Sequence, residues 1–214
     1  MHLVSVNVGS LQEMPGVVNS EPTGIFKTPV RGPVQVRVAG LEHDKIGSVK
    51  YHGGPDQAVL IYSRRDYDWW QRKLERETPP GLFGENFTVS DWGDEPPRLG
   101  DRWAVGSAVL ELSGPRIPCV TLAHRMGDPK FVKKFLLAGR SGTYARVLNE
   151  GEVQAGQQIE VILRRREYPS VDEVYSLWRD RPRNLNLIRS ALEAPMAVGI
   201  RSELEKWLEI GKTK

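Results

Sequence analysis

Trp103-Ala104-Val105-Gly106-Ser107-Ala108-Val109-Leu110-Glu111-Leu112 decides the fold class. Two β-prone runs flank Gly106-Ser107, and glycine at the first central position of a two-residue loop suits a type II′ turn, so the stretch reads as a hairpin. The same pattern continues on both sides. Upstream, Val34, Val36 and Val38 alternate with Gln35 and Arg37; downstream, Ile159, Val161 and Leu163 alternate with Glu160 and Ile162. Alternation of this kind buries one face of a strand. Short strands parted by glycine- and proline-bearing turns persist to about residue 165, which favours a barrel or closed sheet over a helical bundle. The predicted fold class is therefore mainly β with α.

Two helices interrupt the β region. Ser63 with Asp66 resembles a capping box, Tyr67, Trp70 and Leu74 recur at helical spacing, and Thr78-Pro79-Pro80 stops the run. These aromatics read as core. Asp128-Pro129 opens the second helix, Phe131, Val132, Phe135 and Leu136 form its apolar stripe, and Gly139 is placed to end it. After Arg164-Arg165-Arg166 the character changes. Ser170 with Glu173 starts a helix carrying Val174, Leu177 and Trp178. A second helix holds Leu185, Ile188 and Leu192, and Pro195 suits the first turn of a third with Ile200, Leu204, Trp207 and Leu208. The division expected is a barrel domain over 1–165 and a three-helix domain over 167–210, too short to be stable unless docked on its neighbour.

The 214-residue chain is 39% hydrophobic, enough for an ordinary packed core. Its 30 Lys and Arg against 27 Asp and Glu leave a charge of only +3, a field too weak to point to nucleic acid. No run approaches the roughly eighteen apolar residues of a membrane span, and Leu3 to Val8 alternate where an export signal would be continuously apolar. A soluble cytoplasmic protein is expected. The single cysteine, Cys119, excludes an internal disulfide and a cysteine-pair zinc site. His2, His43, His52 and His124 have no HxxxH-type spacing, so helix-borne zinc is not expected either.

Five stretches could carry chemistry. Cys119 ends Gly114-Pro115-Arg116-Ile117-Pro118-Cys119, where two prolines stiffen the approach and Arg116 favours the thiolate, the form that attacks or ligates. The bland alternative is a buried cysteine acting as a small hydrophobe. His52-Gly53-Gly54 precedes an apolar run, and paired glycines allow close backbone approach to a ligand. Glu85 and Asn86, in Gly84-Glu85-Asn86-Phe87-Thr88-Val89, offer the mixed acceptors and donors that the edge of a pterin ring requires. Lys27, among Thr23, Gly24, Thr28 and Pro29, suits a phosphate. Arg140, Tyr144 and Arg146 share a loop-to-strand passage whose guanidinium forks suit an anion. One convergent site is expected from these clusters.

Together these residues resemble the MOSC family, named for the C-terminal domain of molybdenum cofactor sulfurases. The resemblance rests on Lys27-Thr28-Pro29-Val30, Gly32-Pro33-Val34, Gly40-Leu41 with Asp44, His52-Gly53-Gly54 with Ala58 and Tyr62, Phe83-Gly84-Glu85-Asn86, Pro115-Arg116 with Pro118-Cys119, and Gly142-Tyr144-Arg146-Val147-Leu148 with Gly151. The helical tail is similar to that of bacterial members of the N-hydroxylaminopurine-resistance type. The resemblance implies a MOSC-type β-barrel, molybdenum cofactor (molybdopterin), and reduction of a small-molecule N-hydroxylated substrate with electrons from a separate reductase. It makes Cys119 the metal ligand, with Cys119, Arg116 and His52 catalytic. It places Lys27, His52, Gly53, Gly54, Glu85, Asn86, Arg116, Arg140, Tyr144 and Arg146 around the cofactor. Two other readings stay open: a sulfur carrier using a Cys119 persulfide, and a nonenzymatic RNA-binding barrel using Arg164 to Arg166. The tail is expected to serve as a homodimer contact or as a docking surface for the reductase.

Overall fold

The computed structural model describes residues 1–17, 21–47 and 53–212. Its strands are β1 (Leu3–Val8), β2 (Thr28–Pro29), β3 (Val34–Arg37), β4 (Gly40–Leu41), β5 (Val59–Ser63), β6 (Phe87–Val89), β7 (Arg102–Val105), β8 (Ala108–Pro115), β9 (Thr143–Asn149), β10 (Gly151–Val153) and β11 (Ile159–Leu163). The larger sheet runs β11-β7-β8-β9-β5-β6-β1-β2. Its two flanks then meet. Leu3 N–H donates to the Gln157 carbonyl at 2.8 Å, Gly156 N–H to Leu3 at 2.7 Å, and Ile159 N–H to Met1 at 3.0 Å, so the sheet closes into a barrel. A smaller sheet, β10-β3-β4, adds Val34, Val36, Leu41 and Val153 to the same interior.

The hairpin is β7–β8, with Gly106 at φ +55° in its turn and Trp103 opposite Leu110. Residues of alternating parity fill the barrel: Trp103 and Val105 from β7, Leu110 and Leu112 from β8, Ala145 and Val147 from β9, Val59 and Ile61 from β5. β5 is buried along its whole length, so its outward residues, Leu60 and Tyr62, are covered as well. The cover comes from α1 (Arg64–Leu74), α2 (Val120–Met126) and α3 (Phe131–Ala138). Tyr62, Tyr67, Trp70, Phe83, Phe131 and Phe135 form a second core between these helices and the barrel wall. Ser63 caps α1 by accepting from Asp66 N–H at 3.0 Å, and Gly139 ends α3 at φ +66°. α1 stops at Leu74, ahead of Thr78-Pro79-Pro80, with Glu75 in the left-handed region. Helix α2 is additional to the two expected here. Seven residues give too few repeats for a helical period to stand out in the sequence.

The tail folds as α4 (Val171–Arg179), α5 (Leu185–Leu192) and α6 (Val198–Lys212), with Val174, Leu177, Ile188, Ala191, Ile200 and Leu204 in a third cluster that also takes in Leu99. Pro195 is not in the first turn of α6, as its position suggested; the helix begins at Val198. The backbone before it is held otherwise, with Ala197 N–H donating to Ser113 of β8 at 2.8 Å. Ile200 then packs so closely on Gly114 that a Cβ there would lie 2.3 Å from its Cδ1. Among the described residues no helix is long and apolar enough to cross a membrane.

The capping box is complete: Glu173 N–H donates to Ser170 Oγ at 3.2 Å, and Ser170 N–H to Glu173 Oε2 at 2.7 Å. Ser170→Ala is expected to cost about 1 kcal/mol. It should appear as a lower urea midpoint with an unchanged m-value; an unaltered midpoint would show that the box does not hold α4.

Candidate functional site

The outward face of β5 and the segments beside it enclose a cavity of about 350 Å³. Leu60 and the Phe83–Asn86 approach to β6 form one wall, Tyr144 of β9 another, and the link from β8 into α2 supplies Arg116, Cys119 and Val120. Gly53 and Gln57 line it from the segment before β5, and Gly24, Ile25, Lys27, Asp44 and Ile46 from the loops around β2 and β4. Cys119 is half-buried and is the N-cap of α2, extended at φ −123°, ψ 170°; its carbonyl accepts from Leu122 N–H at 3.1 Å. The N-cap position fixes the thiol's backbone at the end of the proline-bounded approach.

The charges in the cavity are unequally balanced. Arg116 is 4% exposed, lies 5.1 Å from the Phe135 ring centroid, and has a buried Nη1 with no acceptor among the described residues. No carboxylate pairs with it among the described residues, and none of the remaining residues has a carboxylate side chain. Lys27, also buried, pairs with Asp44. Desolvation holds its ammonium below the usual lysine range, with Asp44 opposing. Asp44 in addition accepts from Gly9 N–H and Asn86 Nδ2, both at 2.8 Å. Lys27 thus reaches the cavity paired with a protein carboxylate. Asn86 lines the cavity with its amide engaged on both ends: Oδ1 accepts from Leu60 N–H at 3.1 Å, and Nδ2 donates to Asp44. Burial pushes the Tyr144 hydroxyl up against the opposing pull of Arg116, leaving it a protonated donor at neutral pH.

Glu85 lies beneath this wall, fully buried, and does not reach the cavity. Its Oε1 accepts from Tyr67 Oη, Gly81 N–H and Thr88 Oγ1, each at 2.7 Å, which makes it a structural acceptor behind the cavity wall.

The expected convergence is partial. Gly53, Asn86, Arg116, Cys119, Lys27 and Tyr144 share the cavity, and Gly54 sits just behind it as the N-cap of a 3-10 turn. Both glycines have φ above +80°, and a Cβ on Gly53 would strike Ile46 at 2.4 Å. Arg140 is elsewhere: it pairs with Asp66 in a second, polar cavity of about 490 Å³ shared with Trp92 and Asp172, and covers the Trp69 ring. Arg146 is also outside, bonded to Asp56 at 3.0 Å and Glu111 at 3.2 Å. Strand direction explains both placements, since Arg146 lies across from Glu111 in the β8–β9 register and Arg140 precedes β9 on the other side of the Gly142 turn. His52 lies outside the described residues. Arg164, Arg165 and Arg166 are each paired, with Asp101, Glu167 and Glu95. Sequence reasoning passed over Thr121 and His124, which reach the cavity from α2. Their signal was hidden with the helix that carries them. Among the described residues no group of three or more His, Cys, Asp or Glu is placed to hold a metal ion.

The MOSC domain profile matches residues 48–160. The chain is 33% identical to the YflK protein of Bacillus subtilis over 205 residues, covering 95% of this chain and 93% of that one. A protein of Gibberella moniliformis named Reductase is 33% identical over 205 residues, though the matching part is 35% of its length. The crystal structure of YiiM from Geobacillus stearothermophilus superposes with a TM-score of 0.80 at 28% identity, covering 97% of this chain and 98% of that one.

Burial raises the Glu85 carboxyl above the usual range, outweighing the donors on Oε1. The folded protein therefore keeps this proton to higher pH than the unfolded chain. Its contribution to stability is full below the ordinary carboxylate range and is lost as pH rises through the raised value. Glu85→Gln, which cannot ionise, should flatten that loss in melting temperatures recorded across pH. Glu85→Ala should cost at least about 3 kcal/mol, because three donors are orphaned. An unchanged pH slope in the glutamine variant would contradict this assignment.

Proposed function

Because the chain belongs to the MOSC domain family, we propose that the cavity at Cys119 binds molybdenum cofactor and that the loaded protein reduces N-hydroxylated compounds, N-hydroxylated bases among them, to amines. The observation that carries this reading is the buried Arg116 guanidinium, which lines the cavity with Cys119 and, among the described residues, has an unsatisfied Nη1 and no carboxylate paired with it. Burying such a charge is costly without an anion to meet it.

The residues present fit the group. A phosphate supplies the missing anion for Arg116, with Tyr144 as a neutral hydroxyl donor nearby. One thiolate is the whole soft donor set, which suits a metal that arrives with most of its ligands already attached. Ile25, Ile46, Phe83 and Val120 line the cavity with apolar surface on which a flat ring can lie. When bound, the cofactor supplies a two-electron centre that accepts oxygen.

The reaction is R–NHOH plus two electrons and two protons, giving R–NH₂ and water, with a separate reductase as electron source. This chain's part is to bind and orient. Cys119 would hold the metal, Arg116 would anchor the anion, and the apolar wall would limit water at the reacting nitrogen. His124, exposed at the cavity, and the Tyr144 hydroxyl are the described groups placed to pass protons inward. The fungal relative named Reductase supports a redox reading over simple binding.

Protein made in a host that assembles molybdopterin is expected to retain molybdenum and to reduce 6-N-hydroxylaminopurine once a reductase is supplied. Cys119→Ala should lose both properties. Arg116→Gln, which keeps a donor but removes the charge, should weaken cofactor retention about ten- to hundredfold, the weight of a charge-assisted hydrogen bond. Equal turnover by wild type and Cys119→Ala would eliminate the mechanism. A Cys119 persulfide without molybdenum would replace it with sulfur carriage.

A further inference from the structure

The first turn of α6 touches both sides of the candidate site. Val198 N–H, at the start of the helix, donates to Asp56 Oδ2 at 3.2 Å. Asp56 belongs to the 3-10 turn Pro55–Gln57, which follows Gly53-Gly54 and contributes Gln57 to the cavity. Its other carboxylate oxygen takes Arg146 at 3.0 Å, and its carbonyl accepts from Ser113 Oγ at 2.5 Å. Ser113 in turn accepts Ala197 N–H at 2.8 Å through its backbone, and Ile200 seats on Gly114. Ser113 and Gly114 are the residues of β8 that lead into Arg116 and Cys119. One helical turn therefore ties the glycine-bearing wall of the cavity to the strand that presents the thiol.

We propose that the C-terminal helices act as a brace, with Asp56 as the positioning residue through which α6 sets the Gly53–Gln57 segment against Arg116 and Cys119. The polar contacts explain why it is more than packing. Val198 is 66% exposed, so its side chain adds little, and its contribution is the backbone N–H. A carboxylate on the N-terminal turn of a fifteen-residue helix is in addition favourably placed against the helix dipole. Arg146, expected to face the ligand, has the complementary task of holding Asp56 from the barrel side while Glu111 holds Arg146. The brace sets the geometry of the site that the proposed cofactor reading uses, and its significance for catalysis rests on that reading.

The test needs no cofactor, because the chain has a single thiol. The rate at which iodoacetamide alkylates Cys119 is measured well below the melting temperature in wild type, Val198→Pro, Val198→Ala, Asp56→Ala and Asp56→Asn. Proline is tolerated at the start of a helix and deletes only the donor, whereas alanine keeps it. Val198→Pro is expected to raise the alkylation rate about two- to tenfold, the weight of one net hydrogen bond acting on local opening, and Asp56→Ala, which also releases Arg146, by at least as much. Val198→Ala should leave the rate unchanged, and Asp56→Asn, which retains an acceptor, should return it most of the way to wild type. Equal rates for Val198→Pro and Val198→Ala, or an Asp56→Ala variant that folds and reacts like wild type, would overturn the brace. If these shifts appear while loaded wild-type protein fails to reduce 6-N-hydroxylaminopurine, the brace stands and the reductase reading falls.

Discussion

A guanidinium is buried in this protein with no carboxylate to balance it. Arg116 sits against the ring of Phe135, one of a cluster of six large aromatic side chains, and among the described residues one of its nitrogens has no acceptor. Two other cations are treated differently. Lys27 is given Asp44, and Arg164 is given the fully buried Asp101. A guanidinium left open beside a cavity carries a standing desolvation penalty that an external anion would relieve.

The scaffold makes such an arrangement tolerable. A barrel that fills its interior from alternate residues leaves the other face of every strand for other uses, and β5 uses both. Its inward Val59 and Ile61 belong to the barrel, while outward Leu60 and Tyr62 meet the cavity and the aromatic layer. The aromatic layer fixes Arg116 from one side through Phe135, and β8 fixes it from the other through its backbone. Glu85 reinforces the floor by gathering three donors on one oxygen, which locks the Gly81–Thr88 approach to β6. Rigid walls around an open charge are what a preorganised binding site requires.

Much of this was legible from residue patterns with local causes. The Gly106-Ser107 hairpin, the Ser170–Glu173 box and the Gly139 stop each follow from chemistry within a few residues, and each appears as read. The large aromatics of α1 proved to be core for the same reason, helical spacing on an amphipathic face. The failures are non-local. Nothing near Lys27 announces Asp44, seventeen positions away, and nothing near Arg146 announces Asp56. Arginines grouped by proximity in the sequence, Arg140 with Arg146, were separated by the Gly142 turn into different surroundings. Helix α2 escaped notice because two turns cannot establish a period, and with it the place of Thr121 and His124 at the cavity.

Anomalous diffraction at the molybdenum absorption edge, from crystals of protein produced in a host that assembles molybdopterin, tests the central claim most directly. A metal peak at the Cys119 sulfur and phosphate density against Arg116 within the same cavity are expected. Metal bound away from Cys119, or a filled cavity in which Arg116 meets no anion, would contradict it.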